Sequence, residues 1–233
     1  MALYSGSEEE KTNASLNNFC KHEIKDSTDM IVTCLDLEGV LVPEIWIALA
    51  EKTGIKNLRL TTRDIPDYNE LMQGRLKILD ENNLKLSYIE KVIDGIVPLP
   101  GAKEFLSWLE SKFQVIILSD TFNQFAGPLM AQLDYPTLFC HDLIVSKDGR
   151  IVDYRLRIPD AKTKAVAALK GLNLKVIAAG DSYNDTGMLK EAGAGILFRA
   201  PDNVVKEFPQ FPVTHTYQEF KTAVLEASNR LGD

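Results

Sequence analysis

The chain has 233 residues, 45% of them hydrophobic and 25% charged, with a formal net charge of −7. That is room for one large domain, or for a core with a smaller lobe, at ordinary globular composition. The acidic balance and the lack of a basic run or stripe argue against nucleic acid, but not against a small anionic substrate, which a few local cations and a metal can hold.

Residues 1–29 are polar, carry Glu8-Glu9-Glu10 and show no periodicity, so a disordered extension is expected. A secretory signal is not expected, for want of a basic start before an apolar stretch. A transit peptide is disfavoured by the acidic residues, and Asn13-Ala14-Ser15 is read as a chance sequon. No apolar run approaches the ~20 residues that span a bilayer. Cys20, Cys34 and Cys140 are too sparse and odd a set for a disulfide framework, so a reducing, cytoplasmic compartment is expected.

Met30 to Leu35 is apolar and β-branched, the pattern of a buried central strand, and it runs into Asp36-Leu37-Glu38-Gly39-Val40. Gly39 permits a sharp turn at the strand's carboxyl end, where open α/β sheets place their chemistry. Pro43 and Gly54 suit the start and end of a helix. From Asp64 to Asp94 the pattern is helical and charged, without a strand signal, and Pro98-Leu99-Pro100-Gly101 closes the block. An amphipathic helix follows over Ala102–Leu109, then a second buried strand, Phe113–Asp120. Asn123–Leu133 reads as a helix that Pro128 kinks or breaks. Tyr135–Cys140 reads as a short strand. Leu143–Val145 and Ile151–Leu156 flank Asp148-Gly149 as a hairpin. Asp160 is expected to cap a helix through Leu169. Leu174–Ala179 is a third buried strand ending at Gly180-Asp181. A helix over Asn184–Glu191 and a strand over Gly195–Phe198 follow. Helices near Asn203–Glu207 and Tyr217–Asn229 and a short segment around Val213 complete the chain. The alternation implies an α/β, doubly wound parallel sheet with an inserted helical lobe. The expected division is a core of residues 30–43 and 98–233 around a lobe of residues 44–97.

Polar groups recur at strand ends in chain order: Asp36 with Glu38, then Ser119, then Lys162, then Asp181 with Asp185. Each alone has a plainer reading. The acids are a solvated strand end or a turn and a cap, Ser119 a helix cap, and Lys162 a solvated helix residue. Their joint order in these strand contexts is harder to dismiss, and for the first pair the hypothesis is that Asp36 attacks phosphorus, splitting a difficult displacement into two easier steps, while Glu38 moves the proton.

Asp36-Leu37-Glu38-Gly39-Val40, Leu118-Ser119-Asp120-Thr121, Lys162 and Gly180-Asp181-Ser182-Tyr183-Asn184-Asp185 resemble the four motifs of the haloacid-dehalogenase superfamily of aspartate-nucleophile phosphatases. The resemblance runs from Met30 to about Arg230. It is closest to the phosphoserine phosphatase branch, and within it to bifunctional enzymes that also transfer phosphate to homoserine.

The resemblance implies a Rossmann-like core with a cap, and Mg²⁺ held by Asp36, Asp181 and the backbone carbonyl of Glu38, with Asp185 behind them. It implies Asp36 as nucleophile and Glu38 as acid and base. Glu38 stands where most of these phosphatases have the shorter Asp. Ser119 and Lys162 would contact the phosphoryl group; Lys164, two positions on, is the rival lysine. Asp120 and Asn184 would contact substrate. Glu44 would meet the substrate ammonium and Arg75 its carboxylate; otherwise they read as an acid in a helix's first turn and a surface ion pair. The gap from Asp36 to Ser119 is nearly double that from Ser119 to Lys162, so the first gap is where a cap fits. The expected function is Mg²⁺-dependent hydrolysis of O-phospho-L-serine, with homoserine as a second acceptor and a homodimer left open. The alternatives are a phosphatase for another small phosphorylated metabolite and a catalytically silent binding protein of the same fold.

Overall fold

The computed structural model describes residues 30–61, 64–65 and 67–232. The extension expected over residues 1–29 lies outside them. β1 (Ile31–Leu35) leads through a tight turn into α1 (Ile45–Thr53). A 3-10 turn (Lys56–Arg59), α2 (Tyr68–Glu81) and α3 (Leu86–Ile93) follow, then α4 (Ala102–Glu110), β2 (Gln114–Phe122) and α5 (Asn123–Gln132). The antiparallel pair β3 (Leu138–Val145) and β4 (Ile151–Arg155) precedes α6 (Ala161–Gly171) and β5 (Lys175–Gly180). A 3-10 turn (Tyr183–Asp185), α7 (Thr186–Glu191), β6 (Ala194–Phe198), α8 (Asp202–Glu207), β7 (Val213–Thr214) and α9 (Tyr217–Gly232) complete the order.

The strands form one sheet in the order β4-β3-β2-β1-β5-β6-β7, parallel except for the β3–β4 edge. β1 is central, with Cys34 opposite both Ile116 and Ala178. The chain winds to one side of β1 through β2 and returns on the other through β5. The carboxyl end of β1 is therefore the switch point where such sheets open a crevice. Alternate strand residues feed two apolar layers. Val32, Cys34, Val176, Ala178 and Leu197 pack against Val166 of α6, Met188 of α7 and Val204 of α8. Leu35, Ile117, Ile177, Ala179 and Phe198 pack against α1 to α5 and α9. Burial pushes the Cys34 thiol up to about 12, so it is an inert packing group. Among the described residues, no helix is long and apolar enough to cross a membrane.

Several sequence expectations need correction. Tyr135–Cys140 and Leu143–Val145 are not two segments: β3 runs unbroken from Leu138 to Val145. The polar pair His141-Asp142 reads as a strand end, yet both residues stay in the strand. His141 faces Asp120 and Asp142 pairs with Arg155. β2 extends past Asp120 to Phe122, so Ser119 lies within a strand and caps no helix. Pro128 sits inside α5 without breaking it. Asp160 occupies the position before α6 in left-handed backbone and makes no side-chain cap. The segment over Asn184–Glu191 starts as a 3-10 turn, because Ser182 and Asp185 form a capping box there.

The helical stretch is tied to the sheet at several points. Leu86 N–H donates to the Gly149 carbonyl in the β3–β4 turn at 2.9 Å. Tyr154 of β4 donates to Asn69 Oδ1 of α2 at 2.9 Å. Tyr68 at the start of α2 donates to the Asp120 carbonyl at 3.3 Å.

Candidate active site

Four loops meet at the carboxyl end of β1. Beyond Asp36 the chain closes a compact turn: Gly39 N–H donates to the Val42 carbonyl at 2.8 Å, and Leu41 and Val42 N–H both donate to the Leu37 carbonyl. Gly39 has φ +76°, and a Cβ there would lie 2.5 Å from Asp181 Oδ2. Glycine at position 39 therefore takes the left-handed turn without strain and leaves the Asp181 carboxylate its place against that turn.

The nucleophile candidate, Asp36, is buried. Its Oδ1 accepts from Leu37 N–H at 2.7 Å and lies 2.9 Å from Lys162 Nζ. Lys162, in the first turn of α6, is 3% exposed. Its ammonium donates to Asp185 Oδ1 at 2.8 Å and stands 3.6 Å from Asp120 Oδ2. The rival Lys164 is exposed on the same helix. Burial opposes the charge on Lys162, but Asp185, Asp36 and Asp120 outweigh it and hold the lysine ionised. For Asp36, burial and then the Asp185 carboxylate push the carboxyl upward; Lys162 opposes them and Asp181 adds to them.

Asp185 is fully buried and saturated. Its Oδ2 accepts from Asp181 N–H at 2.9 Å and Ser182 N–H at 3.0 Å, while Oδ1 holds Lys162. It fixes both the loop after β5 and the lysine. Carboxylate oxygens of Asp36, Asp181 and Asp185 lie within 4.8 Å of one another. Such an all-oxygen, like-charged cluster fits a hard divalent cation. The side chain of Glu38 is not part of it.

Instead, Glu38 Oε2 accepts from Ile45 N–H at 2.8 Å, at the N-terminus of α1. Glu44, placed to cap that helix, makes no side-chain cap. Burial, then the Glu44 charge, push the Glu38 carboxyl up to about 8, against the Ile45 N–H. Ser119 is buried, and its Oγ accepts from Thr121 N–H at 3.2 Å. Asn184 donates to Asp120 Oδ2 at 2.9 Å.

Arg75 is 8% exposed, so it is not a surface ion pair. Its guanidinium lies 4.5 Å from the Trp46 ring centroid, and one amino group donates to the Leu60 carbonyl at 2.8 Å. Among the described residues, its Nε is buried without a hydrogen-bond partner. Burial brings its pKa down to about 10, still ionised at neutral pH.

A cavity of about 410 Å³ brings these groups together: Asp36, Glu38, Ser119, Asp120, Lys162, Asp181 and Asn184 from the strand ends, with Glu44 and Arg75 from the helical stretch. Sequence reasoning missed two polar neighbours. Arg199 lines this cavity from a left-handed position just after β6. His141 lies buried behind Asp120. Position after a strand end was a usable signal for Arg199; His141, inside a strand, gave none.

A match to the haloacid dehalogenase-like hydrolases covers residues 30–193. The chain is 62% identical over 199 residues to a phosphoserine phosphatase of Pseudomonas syringae pv. tomato, covering 85% of this chain and 84% of that one. It is 61% identical over 201 residues to the phosphoserine phosphatase ThrH of Pseudomonas aeruginosa, covering 86% of this chain and 98% of that one. A solved phospho-aspartyl intermediate analogue of phosphoserine phosphatase superposes with a TM-score of 0.66 at 24% identity, over 80% of this chain and 93% of the other. That likeness concerns the fold.

Proposed function

The chain belongs to the haloacid dehalogenase-like hydrolases, and from that premise we propose that it hydrolyses O-phospho-L-serine to serine and phosphate through a phosphorylated Asp36. The observation that carries the reading is the shared cavity of about 410 Å³. The strand ends give it the carboxylate–lysine cluster, and the helical stretch a buried guanidinium and a carboxylate. Its size suits a small metabolite. Its charges suit a phosphate at one end and an ammonium and a carboxylate at the other. The two close Pseudomonas relatives are named for this activity.

Asp36, Asp181 and the Glu38 carbonyl would hold Mg²⁺, with Asp185 bracing the loop and lysine behind them. Bound there, the ion would supply positive charge against the phosphoryl oxygens and the crowded carboxylates. Lys162 and Arg75 are in place without it. Both contacts to Asp36 fall on Oδ1, leaving Oδ2 to attack phosphorus. As the ester bond breaks, Glu38, held neutral near pH 7, gives its proton to the seryl oxygen. In the second step Glu38 takes a proton from water, whose oxygen attacks the phosphoaspartate. Phosphate leaves, and both carboxyl groups return to their starting states. Lys162 and Ser119 face the charge that develops on the phosphoryl group.

The stretch over residues 44–97 is the cap in this reading. It brings the buried Arg75 and the half-buried Glu44 to the cavity and would limit the access of bulk water. A planar guanidinium fork suits a carboxylate, and the orphan Nε of Arg75 is a donor awaiting one. Homoserine carries the same ammonium and carboxylate, with a hydroxyl that can replace water at the phosphoaspartate.

The test is phosphate release from O-phospho-L-serine with Mg²⁺, with and without homoserine, while O-phosphohomoserine is followed in parallel. Release supports the reading, and diversion into O-phosphohomoserine supports transfer as well. Activity on an aryl phosphate but none on O-phospho-L-serine would remove the amino-acid substrate and the assignment of Arg75 and Glu44.

A further inference from the structure

A second cavity, of about 650 Å³, shares Tyr68 and Asn184, and with them the Asp120–Asn184 hydrogen bond, with the first. Asp120 and Lys162 line both cavities, and His141 lines only the second. His141 is 2% exposed, and nothing in the reaction above uses it.

One hydrogen bond fixes its tautomer. Arg157 N–H donates to Nδ1 at 3.1 Å, so Nδ1 carries no proton and Nε2 does. That Nε2 faces Asp120 Oδ1 at 3.5 Å. The other carboxylate oxygen, Oδ2, meets Asn184 Nδ2 at 2.9 Å and Lys162 Nζ at 3.6 Å. Asp120 therefore divides its two oxygens: one toward the histidine behind it, one toward two groups on the substrate side. Its backbone is held as well, through Tyr68 on the Asp120 carbonyl. The histidine thus faces one carboxylate oxygen while the Asn184 hydrogen bond holds the other. The Asp120 carboxylate, 3.6 Å from the ammonium, adds a third attraction on Lys162 to the closer ones from Asp36 and Asp185.

We propose that His141 is a positioning residue: through Asp120 it sets where Lys162 and Asn184 stand against the phosphoryl group. This rests on the phosphatase reading of the site. His141 touches neither substrate nor reacting atom, so its effect passes through Asp120.

Two substitutions separate this role from a structural one. Gln reaches as far as Nε2 and can keep a donor toward Asp120 in His141→Gln. Asn reaches only as far as Nδ1, so His141→Asn can keep the Arg157 contact but not the Asp120 one. The expected result is kcat within about threefold of wild type for His141→Gln and at least tenfold lower for His141→Asn. KM changes less than kcat, and both variants fold with similar melting temperatures. The loss should be nearly absent when His141→Asn is added to Asp120→Asn, because the pair acts as a unit. The reverse order, Asn active and Gln inactive, would show that His141 serves the Arg157 backbone and overturn the proposal. Equal losses that track melting temperature would overturn it too.

The kinetics are run on O-phospho-L-serine and on an aryl phosphate. A wild-type chain active only on the aryl phosphate sinks the substrate reading, and the His141 comparison is then read on that substrate. If neither is turned over, the imidazole nitrogen-15 spectrum decides. An Nε2–H signal that shifts in Asp120→Asn keeps the pairing; an unmoved signal removes it.

Discussion

Gly39→Ala, set beside Gly54→Ala, measures how much of the site depends on one close approach. Both glycines are left-handed, at φ +76° and +73°, so alanine at either costs about the same in backbone strain. That cost is about 1–2 kcal/mol. In a chain of this length each kcal/mol lowers the melting temperature by roughly 2–4 °C. At Gly54 a Cβ meets nothing within 4 Å, whereas at Gly39 it meets Asp181 Oδ2, Cγ and Oδ1 at 2.5, 2.6 and 2.9 Å. Those atoms are the far end of a side chain that can rotate. The carboxylate turns away, and the two variants should melt within a few degrees of each other. Turning away takes Asp181 out of its cluster with Asp36 and Asp185. The Mg²⁺ concentration for half-maximal phosphate release should therefore rise at least tenfold in Gly39→Ala and stay unchanged in Gly54→Ala. A Gly39→Ala enzyme with the wild-type Mg²⁺ requirement, or the same rise in both variants, would refute the reasoning.

Lys162→Met leaves Asp36 and Asp185 buried without their cation. Phosphate release should fall by about 10²–10³-fold, and without Mg²⁺ the fold should lose about 3–5 kcal/mol. That loss should shrink as pH is lowered and the carboxyl groups take up protons; a melting curve like wild type at neutral pH would count against an ionised, buried lysine. Arg75→Ala should lower kcat/KM on O-phospho-L-serine by roughly 10- to 100-fold more than on an aryl phosphate, the worth of a charged hydrogen bond; equal losses would take Arg75 out of substrate choice. With Glu38 raised to about 8, the acid step has its proton below that pH and loses it above. The rate of the first step should therefore fall as pH rises through about 8, and Glu38→Gln should abolish that limb together with most of the rate. Stability has the same sign: the Glu38 contribution is whole below its unfolded pKa of 4.5 and is lost as pH rises through about 8. Glu38→Gln should flatten that stretch of a denaturant-midpoint profile, and a slope that persists would assign it to another group.

The sheet was legible because its central strands are buried on both faces and so are apolar without alternation, as Ile31–Leu35 and Lys175–Gly180 show. The acids at their ends stood out against that background. What the sequence could not show was which way side chains turn. Lys162 and Lys164 are two residues apart on α6 and cannot share a face. Only the packing of α6 on the sheet makes 162 the buried one. Glu44 has the position of a helix cap, yet Glu38, seven residues from Ile45, supplies the acceptor. Arg75 reads as an ordinary charged helix residue until α1 brings Trp46 over it. His141 interrupts an apolar strand, and local pattern reads an interruption as an end. Here the interruption is a buried side chain turned toward the site.

Asp36 and Glu38 are separated by one residue but stand in different electrostatic surroundings. The charges acting on Asp36 are Asp185, Lys162 and Asp181, from α6 and the loop after β5. Those acting on Glu38 are Glu44 and Arg75, with the Ile45 N–H, from the helical stretch. The leading charges differ between the two. In the proposed mechanism a cation among the first would lower Asp36 toward the carboxylate a nucleophile needs and would leave Glu38 to burial and to Glu44, which raise it. The insertion after β1 thus does more than supply Glu44 and Arg75. By bringing the N-terminus of α1 against Glu38 it gives two acids one residue apart different surroundings, which is what the opposite parts proposed for them require.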